Sequence, residues 1–183
     1  MQTKENIEYG HCNKKTKVSL NKFISECLGL SLEELLRDRE LVCREKERNI
    51  DIYVVRKNLV EELSTMQNKG LTPFTVGIHV ARLRGEKLVP LLGLAAIIRL
   101  ENKIPPPRGY VVINTRAEKL FLYGRDVFGE NVAEIKTSKC KENYVLVLSQ
   151  LHDPLGWGRL LRRQNTIYIQ NIIDAGWYLR SGV

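Results

Sequence analysis

The chain has 183 residues, 43% of them hydrophobic, enough to bury the core of one large domain or two small ones. Its 29 Lys and Arg against 21 Asp and Glu give a formal charge of +8, a balance that suits polyanionic partners. No apolar run reaches the roughly eighteen residues of a membrane span, and the opening MQTKENIEYGHCNKK is polar where a signal peptide is apolar, so an intracellular protein is expected.

Ser19 to Leu30, SLNKFISECLGL, begins with a serine cap and sets Leu20, Phe23, Ile24, Cys27 and Leu28 at helical spacing, with Gly29 to end the helix. Ser31 and Glu34 form a capping box for a short second helix through Leu36. Leu41 to Lys46 and Asn49 to Val55 are short, rich in branched residues and separated by Glu47 and Arg48, the pattern of a hairpin. LVEELSTMQNKG, Leu59 to Gly70, reads as a helix with the glycine beyond its end. FTVGIHVARLR and KLVPLLGLAAIIRL read as two long strands joined at Arg84, Gly85 and Glu86. This half predicts helices packed on a mainly antiparallel sheet.

Cys12, Cys27, Cys43 and Cys140 stand at wide intervals with no Cys-x-x-Cys, so no zinc site is expected. The His11-Cys12 pair reads as chance adjacency, and Cys27 as a small core hydrophobe. Asp51, at the start of a hairpin strand, reads as a turn residue. His79, inside a strand, reads as a partnered structural histidine.

ENKIPPPRG, Glu101 to Gly109, joins neither helix nor inner strand, and marks a stiff spacer between a domain over residues 1–105 and another over 106–183 that should fold alone. With 18 basic and 14 acidic residues before Arg108, and 11 and 7 from it onward, net charge does not choose between the halves. Local clustering must. Beyond the spacer come a strand YVVIN, a helix TRAEKLFLYG, strands around GENVAEIK, YVLVLS, PLGWGRLL and TIYIQNII, and a helical turn DAGWYLR, the make-up of a closed or half-closed small barrel.

Thr115 and Glu118 are read as a capping box, with Gly124 as the left-handed residue beyond the helix. Ala117, Leu120 and Phe121 share one face and should pack inward, while Arg116, Lys119 and Tyr123 lie on the other, either as a solvated face or as a binding one. Arg159, Arg162 and Arg163 follow Gly156, Trp157 and Gly158, and no acid lies between Pro154 and Ile173 to neutralise them. Simple alternation sends Arg162 to the side opposite Arg159 and Arg163. A bulge near Leu161 is expected to bring all three to one surface, where their planar forks suit phosphate, unless they serve only solubility. The glycines allow a close backbone approach or a bend. Trp157 is either core, in phase with Leu155 and Leu161, or a stacking platform; the first is preferred.

NTRAEKLFLYGRDVFGENVAEI, DPLGWGRLL and IIDAGWYLR resemble a PUA domain, the RNA-binding barrel named for pseudouridine synthases and archaeosine transglycosylases. FLYGRDVFGENVAEI, DPLGWG and DAGWYLR are similar more narrowly to the nuclear-import-protein-seven family of large-subunit ribosome biogenesis factors, and the resemblance extends weakly upstream through NIDIYVVRKNLVEEL and GEKLVPLLGL. It implies an α+β protein: an N-terminal α/β domain with an antiparallel sheet and flanking helices, then a PUA-type β pseudobarrel. It implies a role in ribosomal RNA processing without cofactor or catalytic residues, contacts with RNA and other assembly proteins, and RNA binding just after the Gly-aromatic-Gly element, here Arg159, Arg162 and Arg163. Arg116 and Lys119 are added to that surface from the helix. The dense arginines look more like archaeal than eukaryotic members; the location expected is cytoplasmic in the first case and nuclear or nucleolar in the second. Met1 to Lys17 match nothing in the family.

The rival readings are an RNA-modifying or RNA-processing enzyme subunit that uses the barrel for targeting, and a protein scaffold. Against the first, the N-terminal half has no Gly-rich phosphate loop, no paired metal ligands and no nucleophile-base spacing. The second leaves the arginines without a purpose.

Overall fold

The computed structural model describes residues 8–164 and 166–180. Asn13 caps helix α1, Lys14–Phe23, by accepting from the Thr16 amide at 2.8 Å. A π-helical turn, Ile24–Leu28, continues α1 to Gly29, whose φ of 73° closes it. The predicted apolar face is buried, but the helix begins well before the expected Ser19, which lies inside it. Ser31 caps α2, Leu32–Leu36, as expected. The first sheet has the order β1 (Tyr9–His11), β2 (Arg39–Lys46), β3 (Asn49–Arg56), β4 (Ile78–Arg84), β5 (Lys87–Pro90), every pair antiparallel. Helix α3, Lys57–Asn68, covers the outer face of this sheet over Val42, Tyr53 and Val55.

The second run read as a long strand is a strand of four residues followed by helix α4, Leu92–Leu100. Leu94, Ala95, Ile97 and Ile98 are all buried, and a helix apolar around most of its circumference has no polar stripe to reveal its period. Gly93 lets its first turn sit on β4, where a Cβ would collide with the His79 carbonyl.

The second sheet runs β7 (Val127–Phe128), β11 (Thr166–Asp174), β10 (Pro154–Arg163), β9 (Tyr144–Leu148), β6 (Tyr110–Ile113), β8 (Val132–Lys136), and curls into a half-barrel. One pair, β6 with β9, is parallel. Helix α5, Thr115–Leu122, packs Ala117 and Phe121 on one face of it. A four-residue helix α6, Trp177–Arg180, closes the described chain. The protein is thus mixed α+β, with an antiparallel sheet and a barrel-like second sheet. Among the described residues no helix is long and apolar enough to cross a membrane.

The largest core lies between the sheets and does not stop at the prolines. Leu41, Ile52 and Leu83 of the first sheet, Phe23 and Ile98 of the helices, and Tyr144, Leu146 and Trp157 of the second sheet belong to one buried cluster. Backbone bonds from Arg108 to Leu28 and from Lys139 to Glu26 stitch the seam, and Arg99 meets Asp153 at 2.8 Å across it.

The cysteines correct the sequence reading. Cys12 is bonded to Cys43 and Cys27 to Cys140, so Cys27 is a cross-link between the two halves and not a free hydrophobe. Separations of 31 and 113 residues carry no local signal; only the fold brings these thiols together. Asp51 is corrected too. It lies within β3, buried, with Arg82 Nε at 2.5 Å, His79 Nε2 at 3.2 Å and Lys46 Nζ at 3.9 Å.

Candidate nucleic-acid interface

Helix α5 is positioned by Asn114, one residue before the expected cap Thr115: its Oδ1 accepts from the Ala117 amide at 2.9 Å, and Thr115 already has helical backbone. Gly124, at φ 79°, follows the helix as predicted. At the far end Asn171 of β11 donates to the Phe121 carbonyl at 2.7 Å and to Asp174 at 3.2 Å, and the Arg180 guanidinium bonds Asp174 and the Leu122 carbonyl. These bonds fix the last turn of α5 against β11 and α6, so what α5 displays is displayed rigidly.

Arg116, Lys119 and Tyr123 are exposed, Tyr123 to 72%. Leu120, expected inside, is 45% exposed, because the sheet reaches only the Ala117 and Phe121 side of so short a helix. A recess of about 590 Å³ lies between Lys119, Leu122 and Tyr123 of α5 and Ala175, Gly176 and Arg180. A second, of about 470 Å³, is lined by Leu120, Gly124, Arg125, Asp126 and Phe128. Arg125 and Phe128 escaped the sequence reading; the only cue was a GRD turn directly after a helix.

On β10 the expected bulge near Leu161 is absent. Pairing with β11 is regular from Gly158 to Arg163, and the irregularities lie on either side of Trp157 instead, between Pro154 and Gly156 on the β9 side and between Trp157 and Gly158 on the β11 side. The glycines cause this: a Cβ on Gly156 would strike the Ile173 carbonyl, and one on Gly158 would strike the Ile169 side chain. The kink sends Leu155 into the core under α5 and Trp157, fully buried, into the core between the sheets, so the two are not in phase as the sequence suggested.

The arginines therefore divide. Arg162 follows Leu160 on the α5 side and borders a recess of about 340 Å³ with Thr137, Ser138 and Asn143. Arg159 lies on the other side, its guanidinium 5.3 Å from the Tyr144 ring centroid and bonded to the Tyr144 hydroxyl at 3.4 Å, and is only half-exposed. Arg163 shares that side and is exposed. The structure brings Arg116 and Lys119 together on α5 and keeps Arg162 on the same side of the sheet; it does not bring all three β10 arginines to one surface.

Residues 109–183 match the UPF0113 PUA domain. A UPF0113 protein of Aeropyrum pernix is 32% identical over 133 residues, 69% of this chain and 64% of that protein, so this chain covers under two thirds of that relative's length. One from Archaeoglobus fulgidus is 28% identical over 156 residues, 80% of this chain and 82% of that protein. Among solved structures, a conserved PUA domain protein from Thermoplasma acidophilum superposes with a TM-score of 0.56 at 16% identity, over 95% of this chain and 99% of the other. A hypothetical protein from Pyrococcus horikoshii OT3 gives 0.57 at 17%, over 94% and 99%. Half-barrel, helix and kinked Gly-Trp-Gly strand fall within the matched segment, and residues 109–183 are thus similar to the UPF0113 PUA domain, in a chain similar to archaeal UPF0113 proteins.

Proposed function

We propose that this protein is a non-enzymatic RNA-binding factor, needing no cofactor, that acts in ribosomal RNA processing and large-subunit assembly together with other assembly proteins. A PUA domain is in general an RNA-binding module. The observation that carries the reading is the rigidly held outer face of α5, where Arg116 and Lys119 stand exposed beside Tyr123 and an open recess, with no ion pair to either cation among the described residues. Cations hold phosphates and an exposed ring accepts an unstacked base, the two terms of single-stranded recognition. Arg162 and Arg163 extend the charge along β10; Arg159 contributes through its ring contact as much as through any phosphate. The narrower similarity to the nuclear-import-protein-seven family supports the ribosomal role. An archaeal cytoplasm is the compartment proposed: archaeal relatives favour it, and intracellular proteins of hyperthermophilic archaea carry disulfides that most cytosolic proteins lack.

Crosslinking the protein to RNA in cells and mapping the sites tests the whole reading. Enrichment on large-subunit ribosomal RNA, with crosslinks at residues of α5 and β10, is the expected result. Turnover of an RNA substrate by the purified protein, or crosslinks confined to other RNA classes, overturns it.

A further inference from the structure

A second cationic surface lies on the outer face of the first sheet, and the function proposed above does not use it. Strand register sets Arg44, Asp51 and Arg82 in one row across β2, β3 and β4, and Lys46, Asn49, Arg84 and Lys87 in the next, which reaches β5. Directly opposed residues point to the same side of a sheet. Here it is the side of Tyr9 and Tyr53, facing away from the core between the sheets.

Asp51 is the only carboxylate in the two rows, and it is already taken up by Arg82, His79 and Lys46. Arg84 and Lys87 face each other across the turn, both exposed and without an ion-pair partner among the described residues. Like charges directly opposed on a sheet are destabilising, so this arrangement leaves a repulsion that a bound anion relieves. Nearby acids do not supply it: Glu45, opposite Ile50, belongs to the other face, and Glu86 bonds Lys15.

Beside the first row the loop before β4 presents Phe74, 90% exposed. Its carbonyl accepts from the Tyr9 hydroxyl at 2.8 Å and from Arg44 Nη1 at 3.4 Å, so the backbone beneath the ring is fixed while the ring stands in solvent. Lys46, Arg84 and Lys87 span three strand spacings, about 14 Å, the reach of a few nucleotides. Ordered cations in a strip with an aromatic ring at its edge are what a single-stranded nucleic acid uses, phosphates on the charges and a base on the ring.

We propose that the outer face of the first sheet is a second RNA-binding surface, with phosphates on Lys46, Arg84 and Lys87 and an unstacked base on Phe74. The proposal rests on reading the chain as an RNA-binding protein. It adds a contact on the layer opposite α5, so that a long RNA wraps the molecule or two segments are held at once.

The test uses the full chain and an oligouridylate, with affinity measured by fluorescence anisotropy across a salt series. K46A/R84A/K87A should weaken binding and flatten the slope of log affinity against log salt by about two units, at about 0.7 per phosphate contact. F74A should weaken it about tenfold with the slope unchanged. If both bind like the parent while R116A/K119A loses affinity, the sheet face is no RNA surface and the α5 reading stands. If the sheet variants lose affinity and R116A/K119A does not, the α5 reading fails and this one stands. Loss of binding to vesicles of anionic lipid, with RNA binding intact, makes the occupant a membrane and overturns the proposal. Should the triple variant not fold, K87A and F74A, both at exposed positions, ask the same question singly.

Discussion

The indole Nε1 of Trp157 donates to the Leu91 carbonyl at 2.9 Å, across 66 positions of chain, and Phe23 meets the same indole edge-on with ring centroids 5.9 Å apart. The Gly-Trp-Gly kink is thereby a docking device, which drives the largest side chain of the second sheet into the first turn of α4. Trp157→Phe removes the donor and leaves the Leu91 carbonyl with the Leu94 amide alone, and should cost about 1 kcal/mol. Trp157→Ala, which also opens a cavity, should cost about 3–5 kcal/mol. Urea unfolding of the full chain reads both; a Trp157→Phe variant as stable as the parent would mean the hydrogen bond contributes nothing.

A fragment of residues 106–183 loses the cover of Tyr144, Leu146 and Trp157, which share their core with Phe23 and Ile98. It should melt below the full chain and bind a hydrophobic dye that the full chain does not. A fragment as stable as the parent would show that the core between the sheets adds no stability and that the second half folds independently.

Asp51 supplies a pH dependence. Burial acts to raise its pKa, but contacts with His79 and Arg82 outweigh burial and hold the carboxyl well below its usual range. A depressed folded pKa gives stability that is fully present above the unfolded value, near 4, and is lost as pH falls toward the folded one. Asp51→Asn, which removes the buried carboxylate that Arg82 and His79 face, should cost about 3 kcal/mol near neutral pH. The gap to the parent should narrow as pH falls below about 4, where the unfolded parent takes up the proton that its folded form still refuses. Parallel denaturation curves that stay equally separated down to acid pH would place the effect in packing and not in charge.

The β10 arginines should behave differently from one another. Arg162→Ala and Arg163→Ala should each flatten the salt slope of RNA binding by about 0.7 with little change in stability. Arg159→Ala should lower the melting temperature, since the side chain packs on Tyr144. Three identical slopes with unchanged melting would contradict the division the register imposes.

Both disulfides should be present in protein purified without reductant, its intact mass short of the fully reduced mass by four hydrogens. Closing 113 residues into a loop constrains the unfolded chain more than closing 31 does. Cys27→Ser with Cys140→Ser should therefore lower stability more than Cys12→Ser with Cys43→Ser, by roughly 1 kcal/mol on chain entropy. The reverse order, read from thermal melts, would mean native contacts and not loop closure set the effect.

What the sequence by itself determined is what depends on neighbours a few residues away. The apolar stripe Leu20, Phe23, Ile24, Cys27 and Leu28, the Ser31 cap and the Glu47-Arg48 and Gly85-Glu86 turns were legible because period, capping and turn chemistry are local. The exposure of Arg116, Lys119 and Tyr123 followed from one helix's geometry. Where local signals were ambiguous, tertiary structure decided: α4 is a helix because buried neighbours surround it, and Asn114 outcompetes Thr115 for the cap because of where β6 ends. The rest was never local. Which cysteines pair, that Asp51 gathers Arg82, His79 and Lys46, that the bulges flank Trp157 and leave Leu161 regular, and that Lys46, Arg84 and Lys87 form one row all depend on strand register, set by contacts between residues far apart in the chain. A shift of one residue in that register sends every side chain of a strand to the opposite face, so the distribution of charge over this molecule's surfaces existed only once the sheets had formed.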